Sequence, residues 1–184
     1  NVITSDVQPN NKIDICCSAE SLPFDDRSIY GLVMCNVLHH IKNPRNFFSE
    51  AERVLMPGGK IIMIEPSMTF FGKWIRKLFH HENIDTKASW EIIGDDPIMD
   101  SNMANPWIIF KRDLKIFQQE FPRLKLIKYH SHTPLLYLFS GGANHKSIVP
   151  GYFLKLIIFI EKIISPLNEI FGFSSTIIIK RLKY

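Results

Sequence analysis

The sequence predicts an α/β fold around a mostly parallel sheet, and three observations carry that prediction. The apolar run "LVMC" (32–35), a helical pattern opening at Asn43 and the apolar run "KIIMIE" (60–65) follow one another as strand, helix and strand, the order of a parallel crossover. Both runs are uninterrupted, as in strands buried on both faces. Further on come an alternating strand, a helix and a last apolar strand. A chain of 184 residues, 46% apolar and 22% charged, suffices for one globular domain.

In chain order, "VITSD" (2–6) is a β-branched run ending in a carboxylate, and the cluster "QPNN" turns the chain into "KIDICC" (12–17), a partly alternating strand. "SLPFDDRS" is a loop before the strand at 32–35. Asn43 and Pro44 open a helix because asparagine caps free backbone amides and proline tolerates the first helical position. Phe47, Phe48, Ala51, Val54 and Leu55 repeat at helical spacing, and Pro57, Gly58 and Gly59 stop the helix. From Pro66 to about Leu124 the periodicity weakens among three tryptophans and several prolines, which predicts an irregular cap over the sheet, inserted at about 67–123 between core segments 1–66 and 124–184. "LKLIKYHSH" from Leu124 reads as a strand, Pro150 to about Ile164 as a helix, and "STIIIKRL" from Ser175 as the last strand.

Composition narrows the function. The net charge of +4 is scattered, so no nucleic-acid partner is expected. Cys16, Cys17 and Cys35 are odd in number and have no C-x-x-C spacing, which predicts buried free thiols in a reducing, cytoplasmic setting. "GYFLKLIIFIEKIISPL" (151–167) is interrupted by Lys155, Glu161 and Lys162, so it is expected as a buried or half-buried helix and no membrane span, with peripheral membrane contact as the alternative. Nothing at the start reads as a signal peptide. No initiator methionine opens the chain, so a longer gene product is expected.

"AESLPFDDRSIYGLVMCNVLHHIKNPRNFFSEAERVLMPGGKIIMIEP" (19–66) carries A-x-x-L-P-F-x-D-x-S, then L-H-H, then E-x-x-R-V-L-x-P-G-G. In this order and spacing the stretch resembles the class I S-adenosylmethionine-dependent methyltransferases of the small-molecule branch. The resemblance implies a Rossmann-like methyltransferase sheet of order 3-2-1-4-5-7-6 whose last strand is antiparallel. It also implies S-adenosyl-L-methionine as cofactor and a small-molecule acceptor. The family's first strand and its acid-x-G-x-G loop have no counterpart here, so the sheet is expected to be N-terminally incomplete. A missing central strand would leave its neighbours ~10 Å apart with unpaired backbone.

The same resemblance implies roles. Asp6, ending the family's second strand, is the expected acceptor for the ribose hydroxyls, since a carboxylate offers two oxygens; a turn aspartate is the alternative. Ser18 and Ala19 fall where relatives hold adenine, usually with an aspartate at the Ser18 position. Asn36 and Val37, at the carboxyl end of a parallel strand, are expected against the methionine part of the cofactor. His39 or His40 is a candidate base for an acceptor that must lose a proton, the alternative being imidazoles that fill a turn. Glu65 is expected at the mouth, and His80, His81 and Glu82, beside Asp85, are expected to line the acceptor pocket. His130 and His132 share a strand face, but adjacent histidines do not easily reach one ion, and no metal is expected. An enzyme is the primary reading. A non-catalytic binding module of the same fold, without the cofactor loop, is the second, and a metal-dependent hydrolase the third.

Overall fold

The computed structural model describes residues 1–79, 83–94, 96, 100–136, 139 and 149–183, except the side chain of Phe79. Strands β1 (Ser5–Asp6) and β2 (Ile15–Cys16) form a small parallel pair. It is pinned by Asp14, whose carboxylate accepts from the Thr4 amide at 2.8 Å and the Thr4 hydroxyl at 2.7 Å. These two bonds hold the Asp14 carboxyl below its usual range. The paired parts are shorter than the predicted runs because residues 1–12 are all exposed, so β-branched side chains such as Val2 find no surface to cover.

Strands β3 (Ile29–Cys35), β4 (Leu55–Pro66), β5 (Leu124–His132) and β6 (Ser174–Arg181) form a mixed sheet of order β3-β4-β6-β5. β3 and β4 are parallel, and β6 runs antiparallel between β4 and β5, as the apolar last strand was expected to do. Among the described residues no strand pairs with the second edge of β3, and the β1–β2 pair stands as a separate sheet.

Helix α1 (Pro44–Val54) begins as predicted: the Asn43 side chain accepts from the Arg45 and Asn46 amides, and Pro44 fills the first turn. Its apolar side packs on the sheet. Phe48 is the centre of an aromatic cluster, with ring centroids 5.9, 5.0 and 5.5 Å from Phe110, Phe117 and Phe121, the first two edge to face. Residues 67–123 therefore do more than cover the sheet. After helix α2 (Phe70–Phe79), the turn Asn105–Trp107 runs into a π turn, Ile108–Arg112, then helix α3 (Leu114–Glu120), and these segments supply Ile108, Ile109, Phe110 and Phe117 to the core.

Four expectations need correction. β3 and β4 are not buried on both faces: Ile61 and Met63 are buried, while Val33 and Ile64 are exposed, because one face of the sheet packs on α1 and the aromatic cluster and the other does not. The cysteines are free but not buried, since Cys16 sits in the exposed β2 and Cys35 on the open face of β3. Helix α4 (Leu154–Ile164), preceded by a turn at Gly151–Phe153, buries only Ile157 and is largely exposed. Nor do Pro57, Gly58 and Gly59 stop the helix: α1 ends at Val54, Leu55 is already extended, and the three residues lie within β4 at a bulge, with Ile29 opposite Leu55 but Gly31 opposite Lys60.

Candidate functional site

The carboxyl end of β3 opens into a turn whose shape is set by one buried side chain. Asn36 has φ +54°, a left-handed conformation that asparagine tolerates better than most residues, and its amide donates to the Ile64 carbonyl at 2.8 Å. The chain then coils through a short helical turn, Leu38–His40. Glu65 lies beneath it, fully buried. One carboxylate oxygen accepts from the Val37 amide at 3.0 Å and the Leu38 amide at 2.8 Å, and the other lies 2.6 Å from His39 Nδ1. Glu65 is thus not at the mouth. It follows Ile61 and Met63 at the two-residue period of a strand and shares their covered face, a signal the sequence already contained. His39 is buried against it, and the His40 ring packs on that of His39 with centroids 4.3 Å apart.

Above this turn, between β1–β2 and the open edge of β3, lies a cavity of about 550 Å³. Asp6, Ser18, Ala19, Asn36 and Val37 all line it, and so does His40; His39 and Glu65 do not. The structure therefore gathers, from three separate stretches of chain, every residue expected against the cofactor. Part of the polar capacity is already used: Asp6 Oδ1 accepts from the Gln8 amide at 2.9 Å, and the Ser18 hydroxyl accepts from the Glu20 amide at 3.1 Å. Sequence reasoning missed Lys42 and the apolar wall of Val7, Val33 and Ile41. The alternation of β3 hides that wall, because only the gap between the sheets makes Val33 part of a cavity.

The segment expected as a cap also braces the turn. The Asn102 amide donates to the His39 carbonyl at 3.0 Å, and the Ile92 amide donates to the Lys42 carbonyl at 2.9 Å. The indole of Trp90 lies under the Arg45 guanidinium, 4.3 Å from its carbon, and donates to Asp113 at 2.9 Å. His80, His81 and Glu82 lie outside the described residues. Among the described residues, no three His, Cys, Asp or Glu side chains converge as metal ligands would. His130 and His132 sit on the sheet face away from the core, where burial first and His130 second push the His132 imidazole below its ordinary pKa.

Residues 3–63 match the family model described as a methyltransferase domain. This stretch, about a third of the chain, is what the protein shares with that family model. It contains the whole of the cavity wall named above. The fold agrees: a solved S-adenosylmethionine-dependent methyltransferase from Archaeoglobus fulgidus superposes with TM-score 0.54 at 14% identity, covering 96% of this chain and 74% of that one. A methyltransferase from Methanosarcina mazei matches with TM-score 0.47 at 16% identity, over 91% of this chain and 66% of that one. Geranyl diphosphate C-methyltransferase from Streptomyces coelicolor A3(2) matches with TM-score 0.44 at 16% identity, over 90% and 53%. The chain thus spans between about half and three quarters of the length of these solved structures. No curated protein matches the sequence.

Proposed function

We propose that this chain forms the cofactor-binding part of an S-adenosylmethionine-dependent methyltransferase for a small organic acceptor, in the cytoplasm. The observation that carries the reading is the convergence of Asp6, Ser18, Ala19, Asn36 and Val37 on one cavity. Its volume lies in the range of small-molecule sites, and its wall combines a carboxylate with apolar side chains. The residues fit the group. Asp6 keeps a second oxygen for the ribose hydroxyls, Val7 and Ile41 offer apolar surface for adenine beside the Ala19 backbone, and the left-handed Asn36 brings backbone close to the methionine part.

When bound, the cofactor supplies a methyl carbon on a positively charged sulfur. The protein's own task is then alignment and exclusion of water, because an in-line displacement needs the nucleophile held on the axis. Glu65 performs this indirectly, by holding the Val37 and Leu38 amides and so the turn that lines the cavity. His40 is placed to accept a proton from an acceptor that must lose one, while His39, locked against Glu65, positions the turn. His80, His81 and Glu82 are proposed to line the acceptor side.

Titration calorimetry with S-adenosylmethionine tests the reading. Binding is expected, and Asp6→Ala is expected to weaken it about 10- to 100-fold, the equivalent of one or two lost charge-assisted hydrogen bonds. An Asp6→Ala variant that binds as tightly as the parent would refute the ribose role. A second reading, a binding module of the same fold without catalysis, rests on the edge of β3 that pairs with no strand among the described residues. Calorimetry on this chain and on any longer form that its gene encodes separates the two: binding only by a longer form means that further residues complete the site, and binding by neither favours a module.

A further inference from the structure

Helices α2 and α4 and the turn Asn168–Phe171 carry a surface that the methyltransferase reading does not use. Phe71 of α2 lies 5.9 Å, ring to ring, from Phe171, and α4 runs through Ser165–Leu167 straight into that turn. α4 has eight apolar side chains among eleven residues and buries only Ile157. At about 100° per residue, Lys155, Phe159 and Lys162 point away from Ile157, with Leu156 and Ile163 on one flank. On α2, Phe70, Trp74 and Leu78 form a stripe one turn apart beside Lys73 and Lys77, on the side away from buried Ile75. Exposure is 77% at Phe70, 55% at Trp74 and 60% at Phe159.

The charges choose the partner. The described outward-facing groups are Lys73, Lys77, Lys155 and Lys162 against one carboxylate, Glu169. Arg76 and Glu161 turn inward: Arg76 donates to the Ser67 and Phe173 carbonyls, and Glu161 accepts from the Leu135 and Leu136 amides. A second copy meeting this face symmetrically would set lysines against lysines. An anionic lipid surface complements them, and the lysine stems reach past apolar neighbours to the headgroups. No described helix is long and apolar enough to cross a membrane, and α4, about 16 Å long, falls well short of a ~30 Å hydrocarbon core. Aromatic and aliphatic side chains with flanking lysines suit a helix lying in the interface plane. We propose that α2, α4 and the turn Asn168–Phe171 seat this protein on the surface of an anionic bilayer.

Flotation of the full chain with vesicles tests it. The chain is expected to float with phosphatidylcholine vesicles containing phosphatidylglycerol, far less with phosphatidylcholine alone, and less as salt rises. The pair Trp74→Asp and Phe159→Asp, and separately Lys73→Glu and Lys162→Glu, are expected to lower the bound fraction about tenfold with an unchanged circular dichroism spectrum. Quenching of wild-type tryptophan fluorescence by brominated lipid, lost in Trp74→Phe, provides a readout that needs no disruptive variant. The proposal is overturned by absence of flotation with anionic vesicles, by binding insensitive to both pairs, by absence of quenching, or by a dimer that the aromatic pair dissociates.

Discussion

Replacing Glu65 probes the link between the buried sheet face and the cavity turn. In Glu65→Ala three donors lose their acceptor: the Val37 amide at 3.0 Å, the Leu38 amide at 2.8 Å and His39 Nδ1 at 2.6 Å. Hydrogen bonds to a charged group contribute about 1.5–3 kcal/mol each, but these three share one side chain, and water entering the space left behind recovers part of the loss. The expected cost is about 3–5 kcal/mol, since each buried donor left without an acceptor costs about 1–3 kcal/mol and the three losses are partly shared. Glu65→Gln keeps an oxygen for the two backbone amides and alters only the contact with His39, so about 1–2 kcal/mol is expected. Urea unfolding followed by circular dichroism reads both. With a slope of about 2 kcal/mol per molar, the Ala variant's midpoint falls by about 2 M and the Gln variant's by under 1 M. An Ala variant within about 0.5 kcal/mol of the parent, the usual range of a surface change, would refute the claim that this carboxylate holds the turn.

Asn43→Ala removes the acceptor for the Arg45 and Asn46 amides and is expected to cost about 1 kcal/mol in thermal or urea unfolding. Gly59→Ala places a Cβ 2.8 Å from the Tyr30 carbonyl oxygen and 2.9 Å from that of Met56, both backbone atoms, so a loss of about 1–3 kcal/mol should appear in the same measurement. Because the folded state lowers the His132 pKa below its ordinary 6.5, unfolded chains bind the proton more readily. Its contribution is therefore complete above about pH 6.5 and is lost as pH falls toward the lower folded value; His132→Gln should flatten stability against pH in that window, and an unchanged profile would remove the residue from the account.

Much of the site was legible because it is local. Asn43-Pro44 states its own helix start, since cap and first turn are neighbours in sequence. The five residues expected against the cofactor sit at or just past strand ends, and the motif from Ala19 to Pro66 contains three of them, Ala19, Asn36 and Val37. Glu65 ends a strand, which points to the mouth, but it shares the parity of Ile61 and Met63, and the covered face of β4 takes it inward. The aromatic cluster was not legible at all: Phe110 and Phe117 come from a stretch whose prolines and π turn interrupt the helical period.

The sequence by itself determined the strand and helix order and the motif that residues 3–63 share with a methyltransferase domain, because periodicity, caps and motif spacing act over a few residues; the antiparallel last strand followed from the resemblance that this motif carries. Tertiary structure decided which faces are covered. A two-residue or a 3.6-residue period says that a side exists, while what lies against that side depends on segments distant in the chain. For that reason β4 proved one-sided, α4 proved bare, and His39 and His40, adjacent in sequence and packed ring on ring, ended with different partners, the first against Glu65 and the second in the cavity wall.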